Sequence, residues 1–219
     1  MPSGSSPNGK AQSLQLNVCF LRAIVNESKS RRASMAKINP RCMVSSEGLE
    51  YVIRNPIIED AKGILALANS VSKESEFQVS EPDEFKMTIS EEKKWIERMN
   101  VSEWNLVLVA EFQGKIIGLL DFHCNSKQRR LSHTGGFGIS VLKEHRNQKI
   151  GSMLIETLLE WARGVRQIEK VTLAVLASND RAIYLYKKLG FLEEGRRIKA
   201  IKLGPDQYVD DILMARFLD

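Results

Sequence analysis

Two segments in the C-terminal half of the chain contain residues whose types and spacing suit recognition of a phosphorylated ligand. The first covers residues 145–152, follows the strand-like residues 138–141 and leads directly into an amphipathic helical pattern. The first N–H groups of a helix have no partner within the helix, and the helix dipole adds partial positive charge there. Such a loop can therefore bind a phosphate or diphosphate through its main chain.

The second segment places an amide and a phenol on one predicted helix. Asn179 lies at the start of this helix, Tyr186 follows seven residues later, and Gly190 and Phe191 end the pattern. Residues seven apart lie two turns apart on the same helical face, so both side chains point toward one side. Taken alone, Asn179 is typical of a helix N-cap and Tyr186 of a core aromatic. Their occurrence together with the upstream loop favours a functional interpretation.

Together the two segments resemble the acyl-CoA-binding core of the GCN5-related N-acetyltransferase (GNAT) superfamily, over roughly residues 50–219. In the pattern R/Q-x-x-G-x-G/A of this family, loop amides surround the pyrophosphate of coenzyme A and a neighbouring strand pairs with the pantetheine arm. An asparagine faces that arm and a tyrosine faces the sulfur. The resemblance implies acetyl-CoA as co-substrate, no metal, and a binding site formed by Ile139, Ser140, Val141, Arg146, Asn147, Gln148, Lys149, Ile150, Gly151, Ser152, Asn179 and Tyr186.

Lys149 departs from the family pattern, because it stands where the first glycine is usual. A side chain at this position restricts φ and the approach of the main chain to a ligand. The lysine ammonium can compensate by pairing with a phosphate.

The resemblance implies an enzyme in which an amine attacks the acetyl thioester directly. Tyr186 is the predicted catalytic residue and donates a proton to the departing sulfur, while a main-chain N–H near Val141 is a candidate for stabilising the oxyanion. The general base stays open among three residues, Glu76, Glu103 and His133. His123 and Cys124 are interpreted as packing at a strand end, which disfavours a cysteine acyl-enzyme.

A small α-amine such as an amino acid is the first choice of acceptor. Residues 132–141 and 208–210 resemble bacterial members that act on amino acids or related amines. An α-amino group with a pKa near 8 is partly neutral at cellular pH, whereas an ε-amine near 10.4 needs assistance. The acidic stretch 74–84 keeps a polyamine or a protein N-terminal or lysine amine as the second choice. A non-catalytic acyl-CoA-binding module is the alternative from another class, and it would not need the phenol of Tyr186.

Charge is divided unevenly along the chain. Residues 1–48 carry the whole net charge of +5, since acidic and basic residues balance over residues 49–219. This distribution disfavours a general nucleic-acid role, although the leader keeps that alternative open. The apolar patch at residues 14–25 is too short to span a bilayer, so no membrane association is predicted. Three cysteines without metal spacing favour a reducing, cytoplasmic location.

The hydrophobic pattern predicts a flexible basic leader over residues 1–48 and one α/β domain over residues 49–219. The expected order is a strand, two helices, three strands, a helix over about residues 150–163, a strand, a helix and two strands, the first of them beginning near Ile198. Two local signals are a capping box from Thr88 to Glu91 and a hairpin turn at Gln113-Gly114. This order predicts a single-domain GNAT-type fold, in which a mixed, mostly antiparallel sheet is flanked by helices. The resemblance also allows a homodimer.

Overall fold

The computed structural model describes residues 37–74, 77, 79, 84, 86–125 and 128–218. These residues form one α/β unit. Its strands are β1 (Arg41–Val44), β2 (Glu50–Arg54), β3 (Leu106–Phe112), β4 (Lys115–Cys124), β5 (Thr134–Val141), β6 (Lys170–Leu176), β7 (Leu192–Gly204) and β8 (Gln207–Phe217). Its helices are α1 (Ala61–Glu74), α2 (Ile89–Asn100), α3 (Ile150–Arg163) and α4 (Asp180–Lys188).

The strands belong to one sheet with the order β1-β2-β3-β4-β5-β6-β8-β7. Among the described strands, β5 and β6 are the one parallel pair, and the other neighbours are antiparallel. The predicted mixed, mostly antiparallel sheet flanked by helices is therefore confirmed. None of the described helices combines the length and hydropathy needed to cross a bilayer.

Helices cover both faces of the sheet. On one face α3 packs over β4, where a Cβ at Gly118 would lie 3.2 Å from Cδ1 of Leu154, and the Phe122 and Trp161 rings meet edge to face. Side chains alternate between the faces of a strand, so Leu119, which is 3% exposed, points to the opposite face. There α1 packs on β4 and β5, and α2 packs on α1 and β3.

Local signals in the sequence are found where they were predicted. The Thr88 hydroxyl accepts from the N–H of Glu91 (3.2 Å), and the Glu91 carboxylate accepts from the N–H of Thr88 (2.8 Å). This reciprocal pair is the predicted capping box at the start of α2. Gln113 and Gly114 both have positive φ (48° and 78°), as a type I′ turn between β3 and β4 requires. Gly190 ends α4 with φ of 81°.

Two boundaries differ from the predicted ones. The sheet begins at Arg41, inside the predicted leader, because residues 41–44 pair with residues 50–53 of β2. Residues 1–36 lie outside the described residues, so the division into leader and domain stays a prediction. The seventh strand begins at Leu192 rather than at Ile198. Residues 193–197 of this strand are mostly charged and mostly exposed, so the sequence lacks the alternation that marks a half-buried strand.

Candidate active site

The site is an opening in the sheet between β5 and β6. These parallel strands pair only at Thr134↔Lys170, Gly135↔Val171 and Gly136↔Thr172, and residues 137–141 have no partner on β6. The chain leaves β5 to form α3 and leaves β6 to form α4, so both helices begin at the carboxyl end of the diverging strands. Ligands of open α/β sheets bind at such an edge.

The register of β5 decides which main-chain groups face this opening. Leu142 donates its N–H to the carbonyl of Ile117 on the β4 side. Since hydrogen-bonding direction alternates along an antiparallel strand, Ser140 also turns its N–H and C=O toward β4. The main-chain groups of Ile139 and Val141 therefore point into the opening. The predicted strand 139–141 thus offers two residues, not three, for main-chain pairing with a ligand.

The loop between β5 and α3 has an unusual backbone. Asn147 and Lys149 both adopt the left-handed conformation, with φ of 68° and 65°, and α3 begins at Ile150. No acceptor in the described part of the chain takes a hydrogen bond from the N–H groups of residues 147–152. Six consecutive free donors at a helix start form a site suited to a diphosphate. This arrangement fits the group that the sequence predicts there.

Neighbouring residues fix this loop from two sides. The Arg146 Nε donates to the carbonyl of Val141 at 3.0 Å and so ties the loop to the end of β5. Ser46, in the turn between β1 and β2, contacts the carbonyls of Gln148 and Asn147 through its N–H and hydroxyl, each at 3.4 Å. Ser46 was not predicted, because it lies 101 residues from Asn147 in the sequence and no local pattern links the two.

Asn179 and Tyr186 occupy the two ends of α4. Asn179 is the N-cap, and its Oδ1 accepts from the N–H of Ala182 at 3.1 Å, which leaves Nδ2 as its donor. Tyr186 is 8% exposed, whereas Tyr184, two residues earlier on the helix, is 70% exposed and faces elsewhere. The Tyr186 ring meets Phe137 and Phe191 edge to face, with centroids 6.1 and 6.0 Å away. Because Phe137 lies on the unpaired part of β5, Tyr186 borders the opening.

Burial raises the pKa of the Tyr186 phenol to about 12, since the charged form loses solvation. The hydroxyl therefore stays protonated at neutral pH. A protonated phenol next to the opening can donate a hydrogen bond or a proton to a developing anion.

The other predicted groups lie in varied surroundings. Glu76 lies outside the described residues, as does most of the acidic stretch 74–84, while Glu103 is exposed in the loop before β3. His133 is half-buried before β5, and its carbonyl accepts from the N–H groups of Glu169 and Lys170.

Tyr208 lies beneath the ammonium groups of two lysines of β7, and Asp210 pairs with Arg196 (2.8 Å). The Lys199 N–H and Arg196 hold the pKa of Asp210 below its usual value.

The sequence interpreted His123 as packing at a strand end and indicated no oriented partner for it, whereas the structure shows one. His123 Nε2 lies 3.0 Å from Oδ2 of Asp121, whose side chain is 2% exposed. The signal was available, because residues two apart on a strand point to the same face.

Three features together define an acyl-CoA-dependent acyltransferase. They are a sheet that opens between two parallel strands, a loop with unpaired N–H groups at the start of one helix, and a buried phenol on the next helix. The model of the acetyltransferase (GNAT) family matches residues 69–191, more than half of the chain. The chain therefore belongs to the GNAT family and is an acetyl-CoA-dependent N-acetyltransferase.

Curated relatives differ in the amines that they acetylate. The L-amino acid N-acetyltransferase AaaT of Escherichia coli is 34% identical over 122 residues, which are 56% of this chain and 74% of the relative. A spermidine N(1)-acetyltransferase of Vibrio cholerae is 26% identical over 42% of this chain and 51% of its own length. An N-alpha-acetyltransferase of Sulfurisphaera tokodaii is 36% identical over 39% of this chain and 55% of its own length.

Solved structures share the fold. A GNAT acetyltransferase from Streptococcus pneumoniae superposes with a TM-score of 0.73 at 28% identity and covers 78% of this chain and 100% of its own. The putative acetyltransferase yncA of Salmonella typhimurium, solved with its cofactor acetyl-CoA, has a TM-score of 0.68 at 20% identity, covering 77% of this chain and 94% of its own. The co-substrate of this family is acetyl-CoA.

Proposed function

We propose that this N-acetyltransferase acetylates the primary amine of a small molecule, with an amino acid as the first candidate. The observation that carries the acetyl-CoA site is the opening between β5 and β6, bordered by the free amides of residues 147–152. The acceptor class is supported by the similarity to an L-amino acid N-acetyltransferase over 74% of that relative. A cytoplasmic location and a homodimer remain predictions.

In this proposal the loop holds the diphosphate and β5 holds the pantetheine arm. The N–H groups of residues 147–152 donate to the phosphate oxygens, and the ammonium of Lys149 adds a positive charge. The main-chain groups of Ile139 and Val141 pair with the amides of the arm, as in strand addition. Nδ2 of Asn179 is the further donor toward this arm.

Acetyl-CoA supplies the activated thioester carbonyl on which the amine acts. A main-chain N–H that the unpaired part of β5 turns into the opening stabilises the negative charge that develops on the carbonyl oxygen, because preorganised donors lower the energy of such an intermediate. Tyr186 donates its proton to the departing sulfur. The chain itself forms no covalent bond to the acetyl group.

A screen of acceptors with acetyl-CoA, read by the released thiol, tests the proposed acceptor class. The panel contains the L-amino acids, spermidine, and peptides with a free N-terminus but acetylated lysines. We expect kcat/KM to be highest for one or a few amino acids. A higher kcat/KM for spermidine would identify a polyamine as the acceptor, as the name of the Vibrio cholerae relative indicates for that protein. A higher kcat/KM for the peptides would identify a protein N-terminus, as the name of the Sulfurisphaera tokodaii relative indicates for that protein.

A non-catalytic acyl-CoA-binding module is the remaining alternative. It predicts calorimetric binding of acetyl-CoA without thiol release for any amine in the panel. Absence of both binding and turnover would contradict the proposed site as a whole.

A further inference from the structure

The face of the sheet opposite α3 carries a carboxylate and an imidazole that the proposed function does not use. Asp121 and His123 lie on β4, and Nε2 of His123 is 3.0 Å from Oδ2 of Asp121. The side chain of Asp121 is 2% exposed, while that of His123 is 16% exposed. The carboxylate is therefore enclosed, and the imidazole lies between it and the outside.

The buried carboxylate is not explained by stability alone. Oδ1 of Asp121 is buried and has no hydrogen-bond partner among the described residues. A buried acceptor without a partner destabilises the fold, and such groups concentrate at functional sites. A carboxylate in this position stabilises positive charge on the attached imidazole, which gives the arrangement a chemical use.

The register places this pair beside the opening. Asp121 is opposite Gly138 and His123 is opposite Gly136 on β5. Phe137, which contacts Tyr186, lies between these two glycines. Because the glycines have no side chains, β5 raises no barrier between the imidazole and the opening on this face. On β6, Thr172 and Ala174 continue the same face with small, half-exposed side chains.

The phenol of Tyr186 and the imidazole of His123 thus flank one short stretch of β5 from opposite faces. Tyr186 borders Phe137 on the α3 face, and His123, the cross-strand neighbour of Gly136, points to the other face. A thioester held between the diverging strands would meet the phenol on one side and the imidazole on the other. On this face, where α1 packs on β4 and β5, the imidazole keeps 16% of its side-chain surface exposed.

Resting on the proposed function, we propose that His123 is the general base of the reaction and that Asp121 is its positioning residue. With the Nε2–H donating to Asp121, the lone pair of Nδ1 is free, and no described residue binds it. Imidazole is the side chain that most often serves as a general base, which suits this role. In catalytic triads a carboxylate likewise holds a histidine base in one tautomer.

The proton balance is complete. The amine nitrogen forms the C–N bond to the acetyl carbon, and its proton passes to Nδ1 of His123, directly or through one water. The C–S bond breaks, and the sulfur takes the proton of Tyr186. Solvent then carries the proton from the imidazolium to the phenolate, which restores both groups.

The first test compares His123→Ala with Cys124→Ala, at the neighbouring position of β4, in the full chain, using the best acceptor from the screen. We expect His123→Ala to lower kcat by about 100-fold or more, the usual range for general-base catalysis. Added imidazole should restore part of this rate, and calorimetric binding of acetyl-CoA should stay unchanged. Cys124→Ala should keep its rate and show no response to imidazole. A His123→Ala rate within threefold of the parent overturns the proposal, as does an equal loss in Cys124→Ala.

The second test needs neither turnover nor a stable His123 variant. Long-range ¹H–¹⁵N spectra report which nitrogen of each of the three histidines carries the proton. We expect the Nε2–H form for His123, and the Nδ1–H form in Asp121→Asn, whose amide can donate to Nε2 and so reverse the tautomer. Asp121→Asn should also lower kcat without changing acetyl-CoA affinity. An Nδ1–H form in the unaltered protein overturns the proposal. A screen without any acceptor would contradict the proposed function instead and leave this measurement valid.

Discussion

Tyr186 is the residue at which acid catalysis can be separated from packing. Its ring lies between Phe137 and Phe191, and burial raises the pKa of its hydroxyl to about 12. Tyr186→Phe keeps the ring contacts and removes only the proton donor. We expect kcat to fall about tenfold or more with little change in acetyl-CoA affinity, measured by thiol release and calorimetry. Tyr184→Phe, at an exposed position, is the control, and unchanged turnover in Tyr186→Phe would remove this phenol from the mechanism.

At Lys149 the left-handed backbone destabilises the fold, whereas the ammonium is expected to favour binding of acetyl-CoA. Its φ of 65° costs an L-residue about 1–2 kcal/mol, whereas glycine adopts this conformation freely but loses more entropy on folding. We expect Lys149→Gly to raise the free energy of unfolding by roughly 0.5–1 kcal/mol, measured in urea. Lys149→Ala keeps the left-handed strain and should leave stability nearly unchanged.

The same two variants test the ammonium of Lys149. Both remove its charge, so both should weaken acetyl-CoA binding and reduce the dependence of this binding on salt. Loss of affinity in Lys149→Ala alone would show that the left-handed backbone, rather than the ammonium, limits binding.

At the scale of elements, the approach of β4 to β5 depends on one glycine. A Cβ at Gly135 would lie 2.2 Å from Cζ of Phe122 and 2.8 Å from the carbonyl oxygen of His123. Phe122 is fully buried against Trp161 and cannot move aside. Gly135→Ala should therefore lower the free energy of unfolding by about 1–3 kcal/mol, measured by thermal or urea unfolding. Gly195→Ala is the matched control, because nothing lies within 4 Å of its added Cβ, and equal losses in both variants would contradict this account.

At the scale of the whole molecule, two truncations separate the predicted leader from the sheet. Removal of residues 1–36 leaves β1 intact, together with the bidentate pair of Arg41 and Glu160 (2.6 and 2.7 Å). Removal of residues 1–48 deletes β1 and the Ser46 contacts to the loop that precedes α3. We expect the shorter deletion to keep melting temperature and acetyl-CoA affinity, and the longer one to lower both.

Calorimetry and thermal unfolding on the two truncated chains check this expectation. Equal behaviour of the two chains would show that the sheet does not need β1. A loss of turnover already on removal of residues 1–36 would assign a role to the leader that its composition does not predict.

The sequence by itself determined the local elements and indicated the candidate binding loop. Helix α3 has the predicted bounds, the capping box at Thr88 is present, and Gly190 ends α4 in the left-handed conformation. Tyr186 is buried and Tyr184 is exposed, as their spacing on a helix requires. These features depend on residues within one or two turns of each other, so propensity and periodicity are sufficient to predict them.

Only the tertiary structure decided which of these groups meet. The divergence of β5 from β6 after Gly136, the orientation of Ile139 and Val141 into the opening, and the contact of Ser46 with the loop all depend on pairing between distant segments. The exposed, charged start of β7 likewise becomes a strand only because β8 supplies its partner. Strand register and sheet edges arise from long-range hydrogen bonds and packing, which local sequence patterns do not encode.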